Sequence, residues 1–368
     1  MPNHHYASRR YQKPWADNNK RVCVLPQDYI TPFKKPTYWN DDTKKRSTKN
    51  IAVINNYSFT QENEDKITAI EQEGNDIIES FLKNKVLPNE VELEPLYHLI
   101  VLFWCNNPTF REGMKNALNR NREQIIAALK EGIGYQGDRE FFMRALNNIN
   151  PLASVSLQIS DMIVPYLKEN FRFQLLASAP NKSFITSEIP VILIPPSNNH
   201  FMFSCLWRIT KFTWYYENGA MGELKINLNN QGQIEGSTLS YPEQSNEYVP
   251  LPNAHFSYEY HISELNIHKI YFPISPELAL YGVNTKYPYN QSDIFPYNIF
   301  LMLSQNETLE LNSWVLNYIS DHPKTKAIGS NYGILEQSAI YYNSQNKTGP
   351  RSIQYVSEIP NDLLRWVL

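Results

Sequence analysis

The spacing of hydrophobic residues changes twice along this chain of 368 residues. In residues 1–60, short apolar runs alternate with turn-forming residues, a pattern typical of short strands. Between about 61 and 170, apolar residues recur at helical spacing, which predicts a cluster of helices. Residues 171–368 carry runs of aromatic and β-branched residues typical of strands, and one helix is predicted near 307–320.

This order of elements predicts an α+β fold, because strands and helices are segregated along the chain instead of alternating. We expect a mixed or antiparallel sheet formed by N-terminal and C-terminal strands, with the helical cluster of 61–170 inserted between them. No repeat or clear linker divides the sequence, so a single domain over 1–368 is predicted. In addition, residues 184–194 should form one strand, and Pro165 should kink or end a helix that begins at Pro151.

Composition limits the class of protein. Hydrophobic residues make up 42% of the chain and aromatic residues 13%, which is enough for a core. The three cysteines are far apart and form no Cys-x-x-Cys pair, so the sequence predicts neither disulfides nor a cysteine zinc site, and a cytoplasmic location fits best. The N-terminus lacks the apolar region of an export signal, and no apolar run reaches the roughly 20 residues that span a bilayer, so no membrane partner is predicted.

Motifs of common catalytic sites are absent from the sequence. It contains no His-Glu-x-x-His metal motif, no Gly-x-Ser-x-Gly nucleophile elbow and no glycine-rich phosphate loop. His255, His261 and His268 are spaced too widely for one face of a strand or helix. The sequence therefore predicts no metal site and no cofactor.

Charge is distributed unevenly along the chain. Residues 1–49 contain eleven Lys and Arg residues against four Asp residues, a net charge of +7, and the remainder carries −10. Aromatic residues are interleaved with these cations, as on surfaces that bind nucleic acid, where phosphates meet the cations and bases stack on the rings. The alternative is a solvated hairpin whose rings turn inward and which docks on the acidic remainder. The aromatic residues concerned are Tyr6, Tyr11, Trp15, Tyr29, Phe33, Tyr38 and Trp39.

The extreme N-terminus is a second place where chemistry is indicated. His4 and His5 are adjacent there and are followed by Tyr6, Arg9 and Arg10. Termini usually fray unless they dock on the body of the protein. If this segment docks, it places imidazole, phenol and guanidinium groups together, and such groups can bind an anion or transfer a proton.

Several of these segments resemble the mainly bacterial family catalogued as domain of unknown function 4238. Its members typically begin with a His-His-Tyr element, which is similar to residues 4–6. Its best motif, Phe-Ile-Thr-Ser-Asp-x-Pro-Val, resembles residues 184–191, with Glu188 in place of the usual aspartate. A Pro-Leu-Ser-Pro element is similar to residues 273–276, and a lone helical asparagine is similar to Asn312. The family name implies no activity.

The strand that carries the best motif is expected to end in three polar residues, Thr186, Ser187 and Glu188, just before Pro190. Proline stops sheet pairing, so a carboxylate and two hydroxyls would be presented at a sheet edge. This is a common way to form a site. The alternative is structural: the hydroxyls bond to local backbone in a turn, and Glu188 forms an ion pair with an N-terminal arginine.

If the N-terminal segment docks at this strand end, His4 or His5 would form an acid–base couple with Glu188. The carboxylate would fix the imidazole tautomer and raise its pKa, and Arg9 or Arg10 would hold a phosphate or carboxylate. The candidate catalytic residues are then His4, His5 and Glu188. The candidate substrate-binding residues are Tyr6, Arg9, Arg10, Thr186, Ser187 and Asn312.

Two classes of function remain open at this point. The first is a metal-independent hydrolase or nuclease that acts on a phosphate-bearing or nucleic-acid substrate through the N-terminal histidines and the Thr-Ser-Glu strand end. The second is a non-catalytic module that binds nucleic acid, a nucleotide or a partner protein through the basic aromatic segment. A bacterial protein of either class would fit a role in defence or stress response. The sequence does not decide whether the chain is an enzyme.

Overall fold

The structure is a computed structural model in which the chain forms two compact units. The first unit takes its residues from 1–111, 153–202 and 267–354, and the second from 112–152, 203–266 and 355–368. The structure describes residues 4–5, 7–40, 44–54, 61–85, 93–106, 151–194, 207–215, 221–228, 234–240, 255–262, 267–286, 300–320, 322 and 324–345.

Helices and strands follow one another in the segregated order that the hydrophobic pattern predicts. The α-helices of the described ranges are α1 (Arg9–Gln12), α2 (Gln61–Asn84), α3 (Glu94–Cys105), α4 (Pro151–Asn170), α5 (Gln305–Ser320) and α6 (Tyr332–Ser344). The strands are β1 (His4–His5), β2 (Arg21–Pro26), β3 (Arg46–Ser47), β4 (Val53–Ile54), β5 (Phe171–Ala177), β6 (Thr186–Ser187), β7 (Ile192–Ile194), β8 (Trp207–Tyr215), β9 (Met221–Leu228), β10 (Ile234–Ser240), β11 (His255–Ile262), β12 (Lys269–Pro273), β13 (Leu278–Asn284), β14 (Phe300–Met302) and β15 (Lys326–Gly329).

The first unit contains a five-stranded sheet in the order β14-β5-β13-β12-β7. Neighbouring strands are antiparallel except β14, which runs parallel to β5. Successive side chains of a strand point to opposite faces. Phe272 therefore contacts Phe103 of α3 on one face, with 6.1 Å between ring centroids, whereas Tyr271 contacts Trp314 of α5 on the other, also at 6.1 Å. The sheet is buried between these two helices.

A second sheet in the same unit joins the two ends of the chain. Its order is β3-β2-β15-β6, and all its pairs are antiparallel. In the pairing of β2 with β15, Leu25 lies opposite Ala327, and both are fully buried. This pairing confirms the predicted α+β fold with a sheet built from N-terminal and C-terminal strands.

The helical cluster is confirmed where the structure describes it. In α3, nine of the twelve residues are buried, because its apolar run is enclosed on nearly all sides. The helix α2 crosses α3 at Gly74, where an added Cβ would lie 2.5 Å from the Cβ of Leu99. Glycine is therefore needed at this crossing for close approach of the helices. The predicted helices between 107 and 150 lie outside the described residues.

The second unit contains a four-stranded antiparallel sheet in the order β10-β9-β8-β11. These strands coincide with the aromatic and β-branched segments of the sequence. The two units would count as one domain if they folded cooperatively. The single domain over 1–368 therefore stays a prediction.

Two local features differ from the sequence pattern. Residues 184–194 form two strands, β6 and β7, which belong to different sheets. The chain turns between them because the Ser187 hydroxyl bonds to both backbone groups of Ile189, and Pro190 has no N–H to continue a ladder. The helix α4 begins at Pro151 as predicted but does not end at Pro165, since it continues to Asn170, and the alternative of a kink at Pro165 stays a prediction. Pro165 is exposed, so water can satisfy the carbonyl group that its missing N–H leaves free.

No helix in the described part of the chain combines the length and the apolar character needed to cross a bilayer.

Candidate functional site

The N-terminal histidine segment is docked as a strand. Its two residues, His4 and His5, pair antiparallel with Ile54 and Val53 of β4. The side chains of both histidines, and the whole of Tyr6, lie outside the part of the chain whose positions are described. The backbone alone therefore places the predicted histidine pair beside β4.

The Glu188 carboxylate lies next to this strand pair and is held by the protein. Its Oε1 accepts hydrogen bonds from the Ala52 amide and the Lys326 ammonium, both at 3.1 Å. Its Oε2 accepts from the Lys326 amide at 3.0 Å and from the same ammonium at 3.3 Å. The side chain of Glu188 is only 5% exposed. Glu188 thus joins the residue before β4, the end of β6 and the start of β15.

Ala52 adopts an uncommon backbone conformation at this contact. Its φ of 55° lies in the left-handed region, which is unfavourable for a residue with a Cβ. The hydrogen bond to Glu188 fixes the amide of this residue. Because Val53, the next residue, pairs with His5, the Glu188 carboxylate is one residue away from the register of the histidine strand. Glu188 therefore holds the residue that precedes the strand paired with the histidines.

Thr186 takes part in a second buried contact with the N-terminal segment. The Tyr11 hydroxyl donates to the Pro273 carbonyl oxygen at 2.6 Å, and its oxygen lies 2.7 Å from Oγ1 of Thr186. A phenol has one proton, so Thr186 must donate the second bond. Burial raises the pKa of Tyr11, which keeps that proton in place. Nearby, the Trp15 indole donates to the Phe184 carbonyl oxygen at 3.2 Å.

Tyr11→Phe is expected to destabilise the protein by about 1–3 kcal/mol, because it leaves the Pro273 carbonyl and the Thr186 hydroxyl buried and without this partner. Tyr271→Phe is the matched control. The Tyr271 hydroxyl is fully buried and has no hydrogen-bond partner among the described residues, so its removal should be neutral or stabilising. Urea unfolding of both variants measures the difference. Equal losses in the two variants would contradict the assigned hydrogen bonds.

Ser187 and Asn312 complete the buried contacts of this motif. The Ser187 hydroxyl donates to the Ile189 carbonyl oxygen at 2.6 Å and accepts from the Ile189 amide at 3.1 Å, as in a local turn. The Asn312 side chain accepts from the Ile185 amide at 3.0 Å and donates to the Ser183 carbonyl oxygen at 2.9 Å. Ser187 and Asn312 are both buried, and protein groups occupy their polar atoms.

The two candidate arginines have different surroundings. Arg10 lies against α2, where Nη2 is 2.6 Å from Asp76 and Nε is 2.9 Å from Glu79. The hydrogen bond to Glu79 is the largest effect on the pKa of Arg10, which rises, while the pKa of Glu79 falls for the same reason. Arg9 is exposed. Arg10 therefore pairs with carboxylates of α2. Of the two candidate arginines, Arg9 is the one whose side chain is exposed to solvent, where it could meet an anion.

Through Ala52 and β4, the structure thus places Glu188 beside the strand of His4 and His5, and Thr186 lies two positions before Glu188 in the same motif. It does not bring Arg10 into that group. The sequence interpretation missed Lys326 and Ala52, which bind Glu188 from positions 138 and 136 residues away. No local pattern marks these residues. An ion pair of Glu188 was anticipated as the structural alternative, but its partner is Lys326 instead of an N-terminal arginine.

A serine–histidine pair elsewhere in the unit was not singled out by the sequence. Nδ1 of His98 on α3 lies 2.9 Å from Oγ of Ser160 on α4. Glu94, one turn before His98, is bound by Lys168 at 2.8 Å. A serine, a histidine and a carboxylate are the components of many nucleophilic sites. Ser160 is only 1% exposed, however, so the pair ties α3 to α4 and is closed to a substrate.

Six of the eleven cations of residues 1–49 lie in or near the outer strand β3 and its neighbour β2. Arg21 pairs with Ser47 and Val22 with Arg46, and the Thr48 amide donates to the Lys20 carbonyl oxygen. We name this surface the basic edge. Its members are Lys20, Arg21, Lys44, Lys45, Arg46 and Lys49.

Four cations of the basic edge are exposed: Lys20, Lys44, Arg46 and Lys49. None of these four forms an ion pair with a residue that the structure describes. Among the residues that the structure describes, Asp17 contacts the basic edge, and its Oδ2 lies 3.5 Å from Arg21 and 3.7 Å from Lys45. Burial acts to raise the pKa of Asp17, but two backbone hydrogen bonds and these two cations lower it overall. The basic edge therefore keeps a local excess of positive charge.

Among the positions described, no group of three or more His, Cys, Asp or Glu side chains is placed to hold a metal ion.

Comparisons with known proteins identify a family but no function. Residues 3–213 match the model of the family described as Protein of unknown function (DUF4238). The matched segment is more than half of the chain and includes the histidine strand and the Phe-Ile-Thr-Ser-Glu-Ile-Pro-Val motif. No curated protein and no solved structure matches the chain.

Proposed function

The chain belongs to the DUF4238 family of unknown function, and since that membership assigns no activity, we propose a function from its own residues: it binds nucleic acid through the basic edge. The observation that carries the proposal is the group of four exposed cations around β3 without an ion-pair partner among the described residues. A surface of this kind attracts phosphates, because each contact releases condensed counterions from the nucleic acid.

The distribution of charge over the chain supports the same proposal. The first 49 residues carry a net charge of +7 and the remainder −10. The helix α2 is strongly acidic, and its Asp76 and Glu79 already pair with Arg10. An approaching polyanion is therefore repelled from α2 and attracted to β3. Such a gradient orients a charged partner before contact.

Binding of a mixed-sequence DNA duplex, followed by fluorescence anisotropy at several salt concentrations, tests the proposal. If each of the four exposed cations meets a phosphate, the slope of log Kobs against log salt should be about −3.6. Lys44→Ala combined with Lys49→Ala should reduce the magnitude of that slope by about 1.8. The reason is that two phosphate contacts are lost.

The control removes two exposed lysines outside the basic edge, Lys83 and Lys324. The double variant Lys83→Ala and Lys324→Ala changes the net charge by the same amount and should leave the slope unchanged. A flat salt response of the unmodified protein, or equal losses in the two double variants, would exclude the basic edge as a nucleic-acid surface.

A hydrolase or nuclease that uses the N-terminal histidines is the second candidate function. One observation favours it: the strand of His4 and His5 pairs with β4 one residue from the contact between Ala52 and Glu188. In this arrangement the imidazole would handle the proton and Glu188 would act by positioning the strand. His5→Ala should then abolish hydrolysis of bis(4-nitrophenyl) phosphate at unchanged unfolding free energy. Hydrolysis that persists in this variant would remove the histidine from the mechanism.

A further inference from the structure

We infer that Asp17 restrains the binding of nucleic acid at the basic edge, because its carboxylate competes with phosphates for Arg21 and Lys45. This inference rests on the proposed function and names a residue that regulates the same surface. It follows from two observations. The backbone of the loop before β2 fixes one oxygen of the Asp17 carboxylate, and the other oxygen lies against two of the six cations of the basic edge.

The first oxygen of this carboxylate is held by the loop that leads into β2. Oδ1 of Asp17 accepts hydrogen bonds from the Asn19 amide at 2.9 Å and from the Arg21 amide at 3.0 Å. The backbone closes the same loop, since the Asp17 amide donates to the Arg21 carbonyl oxygen and the Lys20 amide donates to the Asp17 carbonyl oxygen, both at 2.8 Å. The position of the carboxylate is therefore set by the fold and does not depend on a partner.

The second oxygen binds two cations of the basic edge. Oδ2 of Asp17 lies 3.5 Å from Nε of Arg21 and 3.7 Å from Nζ of Lys45. Burial acts to raise the pKa of Asp17, but the two backbone hydrogen bonds and the two cations lower it overall, so the carboxylate is ionised at neutral pH. Arg21 and Lys45 are therefore already paired with an anion, in contrast to the four exposed cations of the basic edge.

A phosphate and a carboxylate offer the same ligand, an anionic oxygen, to an arginine or a lysine. A phosphate that took Arg21 or Lys45 would have to displace the Asp17 oxygen. It would also bring a second negative charge close to the carboxylate, and like charges repel strongly at short range. Asp17 thus withholds these two cations, and the unmodified protein binds phosphates through the other four.

Asp17→Asn tests the inference in the full-length protein, because asparagine keeps the oxygen that accepts from the two loop amides and replaces the other with an NH₂ group. Binding of the mixed-sequence DNA duplex is followed by fluorescence anisotropy at several salt concentrations. The slope of log Kobs against log salt should steepen from about −3.6 to between about −4.5 and −5.4, as one or two further cations meet phosphates. The Kd at ~0.1 M salt should fall by about fivefold or more.

Glu310→Gln is the matched control, since it removes the same charge from an exposed carboxylate outside the basic edge and should leave the slope unchanged. A slope near −3.6 in the unmodified protein that Asp17→Asn does not steepen, or that both variants steepen equally, would overturn the inference and leave the proposed function intact. A flat salt response of the unmodified protein would instead overturn the proposed function.

Two arginines on neighbouring strands give a second test that does not require Asp17→Asn to fold. Arg46 is exposed on β3, whereas Arg21 on β2 is held by Asp17. In the unmodified protein, Arg46→Gln should reduce the magnitude of the slope by about 0.9, and Arg21→Gln should reduce it by less than about half as much. Equal reductions in these two variants would show that Asp17 does not withhold Arg21 and would overturn the inference.

Discussion

Replacing Glu188 with alanine is expected to lower the free energy of unfolding by about 3 kcal/mol. The substitution leaves the buried amide of Ala52 and the part-buried amide of Lys326 without their acceptor. It also removes the contact that fixes Ala52 in its left-handed conformation, with φ at 55°. The Lys326 ammonium contributes less, because its side chain is 31% exposed and can be hydrated once the carboxylate is gone.

Equilibrium unfolding in urea measures this loss, and an exposed carboxylate provides the control. Glu310 is exposed on α5, so Glu310→Ala should change stability by no more than about 0.5 kcal/mol. Glu188→Gln should be intermediate, because the amide keeps one acceptor but turns an NH₂ group toward a donor. If Glu188→Ala were as stable as the parent protein, the carboxylate would not be a structural anchor and its assignment as a positioning residue would be wrong.

Asn312→Leu is the second substitution with a large expected effect, also about 3 kcal/mol. Asn312 is fully buried on α5, and its side chain binds both the Ile185 amide and the Ser183 carbonyl oxygen. It also donates to the Ser338 hydroxyl on α6 at 3.0 Å. Leucine has the same number of side-chain heavy atoms, branched at the same carbon, but satisfies none of these groups. The cost therefore comes from buried polar groups left without partners and not from a cavity.

A second asparagine supplies the matched control for this experiment. Asn343 on α6 is half-buried and donates to the Ile30 carbonyl oxygen at 2.8 Å. Asn343→Leu should cost about 1 kcal/mol, because water can replace the lost bond. Thermal or urea unfolding distinguishes the two variants. Losses of equal size would show that Asn312 is not the anchor of the chain segment before β6.

The candidate site could be predicted only in part. The sequence drew attention to the histidine segment and to the motif of residues 184–191 but left their docking conditional, and it did not predict the pairing of the histidine strand with β4 or the contact between Tyr11 and Thr186. The partners of Glu188 could not be predicted. Lys326 is one of many lysines, and the conformation of Ala52 is set by its surroundings and not by its residue type.

The orientation of the basic aromatic segment illustrates the same limit. Its composition was compatible with rings that stack on bases and with rings that turn inward. In the structure Trp15 and Trp39 belong to the core, whereas Lys44 and Lys49 are exposed. The inward alternative therefore describes these two rings, and the proposed binding rests on the exposed cations alone.

The sequence by itself determined the local elements and the distribution of charge. Hydrophobic periodicity is a property of neighbouring residues, so it specified helices such as α3 and strands such as β5 without reference to the rest of the chain. Only the tertiary structure decided which segments meet. It split residues 184–194 between two sheets, paired β2 with β15, and gave Glu188 its partners. These contacts join residues far apart in the sequence, and their geometry depends on how the whole chain packs.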